Sequence, residues 1–126
     1  MAPKSVPITV NMSNAPTGAA IGVWLLKNVL SDEPFATGSN MDNSSSSSDS
    51  FAVDVPSGGF VVLGHVHWGT GSTTWSAGVT ERYSAAGGSS VRFSMADYAG
   101  QAAEPGKTFQ ASFSSENSAT AGLAWR

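Results

Sequence analysis

Apolar and polar positions alternate along most of this chain with a period of two, the spacing of strands that bury one face. Val6, Ile8, Val10 and Met12 alternate with Pro7, Thr9 and Asn11 and predict a first strand. Pro7 has no N–H to donate, which places that strand at an edge or starts it there. Ala15-Pro16-Thr17-Gly18 reads as a turn. Residues 19–30 are long enough for about three helical turns, but their Val, Ile and Trp content, with Gly22 inside, favours a buried strand. Ser31-Asp32-Glu33-Pro34 ends that segment. Residues 35–50 include a serine run at 44–48 that buries nothing apolar and is expected as an exposed loop or a loosely held edge.

Residues 50–83 organise the rest. Phe51, Val53 and Val55 alternate with Ala52 and Asp54, and Pro56-Ser57-Gly58-Gly59 supplies a hairpin turn. Phe60-Val61-Val62-Leu63 is a continuous apolar run, short enough for a strand buried on both faces. His65-Val66-His67-Trp68 follows, then a Gly/Ser/Thr loop, Trp75 and a strand over 79–83. Ala85-Ala86-Gly87-Gly88 turns the chain into a strand over 89–98, with Val91, Phe93 and Met95 expected on its buried face and Ser90, Arg92 and Ser94 on the other. A loop over 100–106 leads to a strand through Phe109, Ala111 and Phe113, and a last strand carries Ala119, Ala121, Leu123 and Trp125 on one face. The expectation is an all-β fold of about eight strands, a single antiparallel β-sandwich of jelly-roll-like form. It occupies 1–126 as one domain, with a short N-terminal arm (1–6) and a Ser-rich loop (about 36–50).

Composition narrows the function classes. Charged residues are only 12% of the chain, and Lys4, Lys27, Arg82, Arg92, Lys107 and Arg126 are spread singly, so no basic patch awaits phosphates and no nucleic acid partner is expected. There is no cysteine, hence no disulfide framework or thiolate chemistry. The N-terminus lacks the apolar core of a signal peptide. The longest apolar run, about residues 21–26, is far short of the roughly 20 residues of a membrane helix. Asn11 and Asn43 open glycosylation-like triplets that read as chance without a secretion signal.

The sharpest candidate chemistry is His65-Val66-His67, because residues two apart on a strand share a face and both imidazoles could reach one metal. The spacing from Gly59 matches half of the cupin metal motif. Residues 68–72 lack the carboxylate that motif needs, and the chain has no later histidine, so Asp97, Glu81 or another subunit would have to complete a site. Two histidines hydrogen-bonded at a strand end is the plainer reading. Glu81, Asp97, Glu104 and Glu116 are the carboxylates available for glycoside chemistry, with Glu104 expected in a turn and Glu116 at a hairpin corner. No Gly-x-Ser-x-Gly elbow or phosphate loop is present. Trp24 and Trp125 lie in apolar segments, whereas Trp68 and Trp75 flank a polar loop and are better placed to touch a glycan. These residues commit the chain to no catalytic, cofactor-binding or metal site and to no enzyme activity.

From Ala19 to Arg126 the order of segments resembles a group of small β-sandwich domains in tailed-phage virion proteins. The likeness rests on Gly78-Val79-Thr80-Glu81-Arg82 after a Trp-containing strand, and on Ala96-Asp97 ending the next strand. It implies a binding role at the virion surface, after assembly in the host cytoplasm. The expected role is capsid decoration (cement) or head-spike protein, homo-oligomeric, bound to major capsid protein or other virion proteins, with no membrane partner. A tail or fibre component touching a host glycan is the alternative the resemblance leaves open; a metal-dependent, cupin-like enzyme on His65 and His67 is the one the residues leave open.

Overall fold

A computed structural model describes residues 9, 11, 21–88 and 90–126 of the chain. The expected arm 1–6, the strand at 6–12 apart from Thr9 and Asn11, and the turn at 15–18 lie outside the described residues. The described residues contain six antiparallel strands and no helix: β1 (Ala36–Val55), β2 (Phe60–Trp68), β3 (Thr74–Trp75), β4 (Thr80–Ala86), β5 (Val91–Ala99) and β6 (Glu104–Trp125).

The frame is a long ribbon of β1 against β6, folded over on itself. The first half of β1 pairs with the second half of β6, from Ala36↔Ala124 to Asp42↔Ser118, and the second half of β1 pairs with the first half of β6, from Ser48↔Ser112 to Val55↔Glu104. Register shifts between Asp42 and Ser48 mark the fold-over, as bulges sharpen the bend and twist of a strand. β2 lies beside the second half of β6, β3 beside its first half, and β5 and β4 follow β2 in the order β1-β6-β2-β5-β4. Because β3 leads directly into β4, the sheet returns almost to its start. The result is a nearly closed, barrel-like sheet rather than the two-layer sandwich expected.

The apolar half of the interior holds Phe51, Val53 and Val55 of β1, Val61 and Leu63 of β2, Ala96 of β5, and Phe109 and Ala124 of β6. Phe109 meets Phe51 at 6.0 Å and the edge of Tyr98 at 5.3 Å between ring centroids. Gly122 is small of necessity: a methyl group there would lie 2.8 Å from the Phe51 ring and 2.9 Å from Leu63. Gly122→Ala is therefore expected to cost about 1–3 kcal/mol through overpacking, measured as a lower urea midpoint with an unchanged slope. The turn at 56–59 forms as expected, with Gly58 at φ 68° and the Gly59 N–H donating to the Pro56 carbonyl at 2.8 Å.

Several expectations about the strands are corrected. Residues 36–50 are strand rather than loop, and because β1 stands at the end of the strand order the edge alternative fits better; within the serine run only Ser46 and Ser48 have partners on β6. Residues 104–125 are one strand, so neither Glu104 nor Glu116 sits in a turn. Phe93 and Met95 lie on the outer face of β5, while Ser94 and Ala96 are fully buried. Likewise Ala119, Ala121 and the exposed Leu123 face outward, and Ser118, Thr120, Gly122 and Ala124 face inward.

Residues 21–30 form neither strand nor helix and run across the outside of the barrel as a strap. Trp24 donates from Nε1 to Asp97 at 3.3 Å, and the Leu30 N–H donates to the Arg126 carbonyl at 2.7 Å. Asn28 takes φ 59°, the left-handed conformation that asparagine tolerates best among residues with a Cβ.

Candidate functional site

The other half of the interior is polar, and both histidines are in it. The period-two geometry of β2 puts His65 and His67 on the inner face, as their spacing predicts. Register then brings Thr120 and Ser118 of β6 opposite them on one side, and Ser94 and Arg92 of β5 on the other. Asp49 reaches in from β1 across the barrel and is 2% exposed. Phe113 covers both rings, 4.8 Å from His65 and stacked 4.9 Å from His67, and Trp75 meets His65 edge-on.

Asp49 accepts from the Ser118 hydroxyl at 3.2 Å, the Thr120 hydroxyl at 2.9 Å and the Asn40 side-chain amide. Thr120 Oγ1 also lies 2.7 Å from His65 Nδ1, and His65 Nε2 lies 3.1 Å from His67 Nδ1. The tautomers follow from this order. The Thr120 proton is committed to Asp49, so His65 Nδ1 is the donor to Thr120. A neutral His65 then accepts at Nε2, and His67 donates to it from Nδ1. The chain of bonds from Asp49 to His67 has one direction and ends in the His67 Nε2 lone pair. That atom is buried and has no hydrogen-bond partner among the described residues.

Both imidazoles are held neutral. Burial lowers the His65 pKa to about 4, helped by the neighbouring His67 and opposed by the charge of Asp49. Burial likewise lowers His67; the Gly71 backbone raises it, Arg92 lowers it and Glu116 raises it, with the net effect downward. Beside this row Trp75 Nε1 donates to Ser94 Oγ at 2.8 Å, and Ser94 donates to Glu81.

This arrangement bears directly on metal binding. Both nitrogens of His65 are engaged, which leaves one imidazole lone pair, on a residue only 1% exposed. Among the described residues no group of three or more His, Cys, Asp or Glu side chains is close enough to hold an ion. The cluster can hold a proton chain in a fixed order and fill the polar half of the barrel.

The remaining candidates fall elsewhere. Asp97 takes the Arg82 guanidinium at 2.7 and 3.0 Å on the outer face, which raises the Arg82 pKa. Glu104 accepts from the Tyr98 hydroxyl at 2.6 Å and pairs with Lys107 at 2.7 Å. Its carboxyl is held below the usual range by the Lys107 hydrogen bond first and by that of Tyr98 second. Glu116 lies beside Gly69 in the loop that follows β2. Trp75 is tied inward through its N–H, Trp125 is half-buried, and Trp68 is 53% exposed at the end of β2.

Asp49, Thr120, Ser118 and Asn40 escaped the reading of the sequence. Asp49 had a usable signal, since it shares the inward phase of Phe51, Val53 and Val55. Compared with protein-family models, with curated protein sequences and with solved structures, the chain matches none of them.

Proposed function

We propose that this protein works by binding, as a structural component of a tailed-phage particle. Its role is to decorate the shell as a cement or head-spike protein that contacts the major capsid protein. The observation that carries the binding role is the strap. Trp24 and Leu26 face the barrel, while Val23 and Leu25 project from it, Leu25 at 82% exposure, with Leu30 at 73% close behind. Isolated surface apolar residues need no explanation, but a row of them on one anchored segment marks a contact surface. The polar cluster gives no rival support for catalysis, since its histidines are sealed from solvent. The virion context rests on the resemblance over Ala19–Arg126.

Quantitative mass spectrometry of purified particles tests the placement. A copy number near one per few capsid subunits is the expected result. A handful of copies per particle would move the protein to a tail or vertex, and absence from particles would end the virion reading. The double variant Val23→Ser, Leu25→Ser tests the strap itself. It is expected to lower occupancy on particles at least tenfold, about 1.4 kcal/mol of binding, with the thermal midpoint of the free protein unchanged. Full occupancy would show that the strap is not the contact.

A further inference from the structure

The strap climbs the outer face of β2 as its residue numbers fall. Val29 and Leu26 lie with Phe60 and Trp125 at one end of that strand. Trp24 bonds Asp97, which is paired with Val62. Gly22 sits so close to Met95, the partner of Gly64, that a Cβ there would overlap its sulfur. Farther along β2 in the same direction, the outer face carries two adjoining hollows of about 590 and 540 Å³, which share Met41, Val66, Phe93 and Ala119. The first begins at Gly64 and Met95, where the strap leaves off, and the second reaches Trp68. Among the described residues no Asp, Glu, Lys or Arg lines either one.

The sequence that precedes the strap suits this place in length, polarity and pattern. From Gly64 to Trp68 is about 13 Å at the usual strand rise, and seven extended residues span about 23 Å. Twenty residues precede Ile21, so reach is not limiting. Residues 5–20 carry no charge, and an uncharged segment enters an uncharged groove without stranding an ion away from water. Val6, Ile8, Val10 and Met12 alternate with Pro7, Thr9 and Asn11. Thr9 and Asn11 are exposed. In an extended segment whose odd positions face water, the even positions face the opposite way.

We infer that residues 6–12 cover the two hollows, with Ile8, Val10 and Met12 turned toward the sheet, so that the chain's own N-terminal part continues the strap across this face. This does not depend on the virion reading, and it leaves Val23 and Leu25, which project from the strap, for another partner. It also gives the outward Phe93 and Met95 of β5, both of which line the first hollow, an apolar layer to pack against.

The chain has no cysteine, so one introduced thiol reports on the hollow alone. In Val66→Cys the thiol is expected to react with a maleimide at least tenfold more slowly than in Ser72→Cys, an exposed site. Adding Ile8→Asp with Val10→Asp should erase that difference and lower the thermal midpoint by about 10 °C, the scale of two apolar side chains lost from burial. Thr9→Asp with Asn11→Asp brings the same charge on the exposed phase and should leave both readouts unchanged. Ile8→Ala with Val10→Ala, which adds no charge that could unfold the barrel, should speed the Val66→Cys thiol in the same direction. A Val66→Cys thiol as reactive as Ser72→Cys overturns the inference, as does an equal loss of stability from the two aspartate pairs. A thiol that stays protected in both Ile8 and Val10 double variants means another occupant and also overturns it. Protection that fades on dilution from about 100 to 1 μM, the range of weak specific association, would name that occupant as a second copy.

Discussion

Asp49→Ala should cost the fold about 3–5 kcal/mol, the cost of breaking a buried charged network by removing one partner. Asp49 accepts from Asn40, Ser118 and Thr120, and by taking the Thr120 proton it leaves His65 Nδ1 as the donor to Thr120. Without the carboxylate, three donors lose their acceptor in a site water does not reach, each lost pairing being worth roughly 1–3 kcal/mol. Thr120 would then be free to donate to His65, which reverses the bond order and leaves His67 without a fixed tautomer. Such a loss is a large part of the 5–15 kcal/mol that holds a typical domain together. Urea unfolding monitored by tryptophan fluorescence measures it. A loss below about 1 kcal/mol, the scale of one ordinary hydrogen bond, would mean the network contributes packing only. Asp49→Asn should fall between, since it keeps the volume and one acceptor but turns an amide toward groups that already donate.

Acid should weaken the fold before it protonates the carboxylates. His65 titrates near 4 when folded and near 6.5 when unfolded, so between those values the unfolded chain binds more protons. Stability therefore rises with pH across this window; it is fully present above about pH 6.5 and is lost as the pH falls toward 4. From His65 alone the expected loss between pH 7.5 and 5 is about 2 kcal/mol. His67 adds to it in the same direction. Asp42 and Glu104, whose pKa values are lowered, contribute mainly at more acid pH. Urea midpoints at pH 7.5, 6 and 5 measure the slope. His65→Gln should flatten it, whatever that substitution does to stability at neutral pH. Equal slopes in both proteins would place the acid response outside the histidine row.

Alternation along the chain was enough to find the second half of β1 and the common face of His65 and His67. The apolar run found β2, although Phe60 and Val62 are only half-buried. Turn residues placed the turn at 56–59, whereas the turn expected at 85–88 falls later, because Ala85 and Ala86 are paired in β4. Alternation misassigned the faces of β5 and of the second half of β6, and the cause is physical. Burial patterns assume that the apolar side of a strand faces the interior. Here half of the interior is a paired polar network, so Ser94, Ser118 and Thr120 point inward and Phe93, Met95 and Leu123 point outward. The serine run was misread for a different reason. It has no apolar periodicity of its own, and its strand state comes from β6, which begins more than fifty residues later. The candidate site was half legible for the same reason. Two histidines spaced to share a face are a local signal, whereas Asp49, Thr120 and Asn40 join them only through pairing across the sheet.

That pairing has a consequence for how the chain reaches its native state. β1 and β6 are the first and last strands among the described residues, and β6 is bonded to β1, β2 and β3. No barrel can close until β6 has been made and has returned to the other end of the domain. Contacts of such sequence separation come late, because the loop entropy must be overcome before they form. Folding on the millisecond-to-second scale of non-local β-proteins follows. During synthesis, β2, β4 and β5 wait as an open sheet with its apolar faces uncovered. That interval, more than any weakness of the finished barrel, is when the chain is most exposed to aggregation.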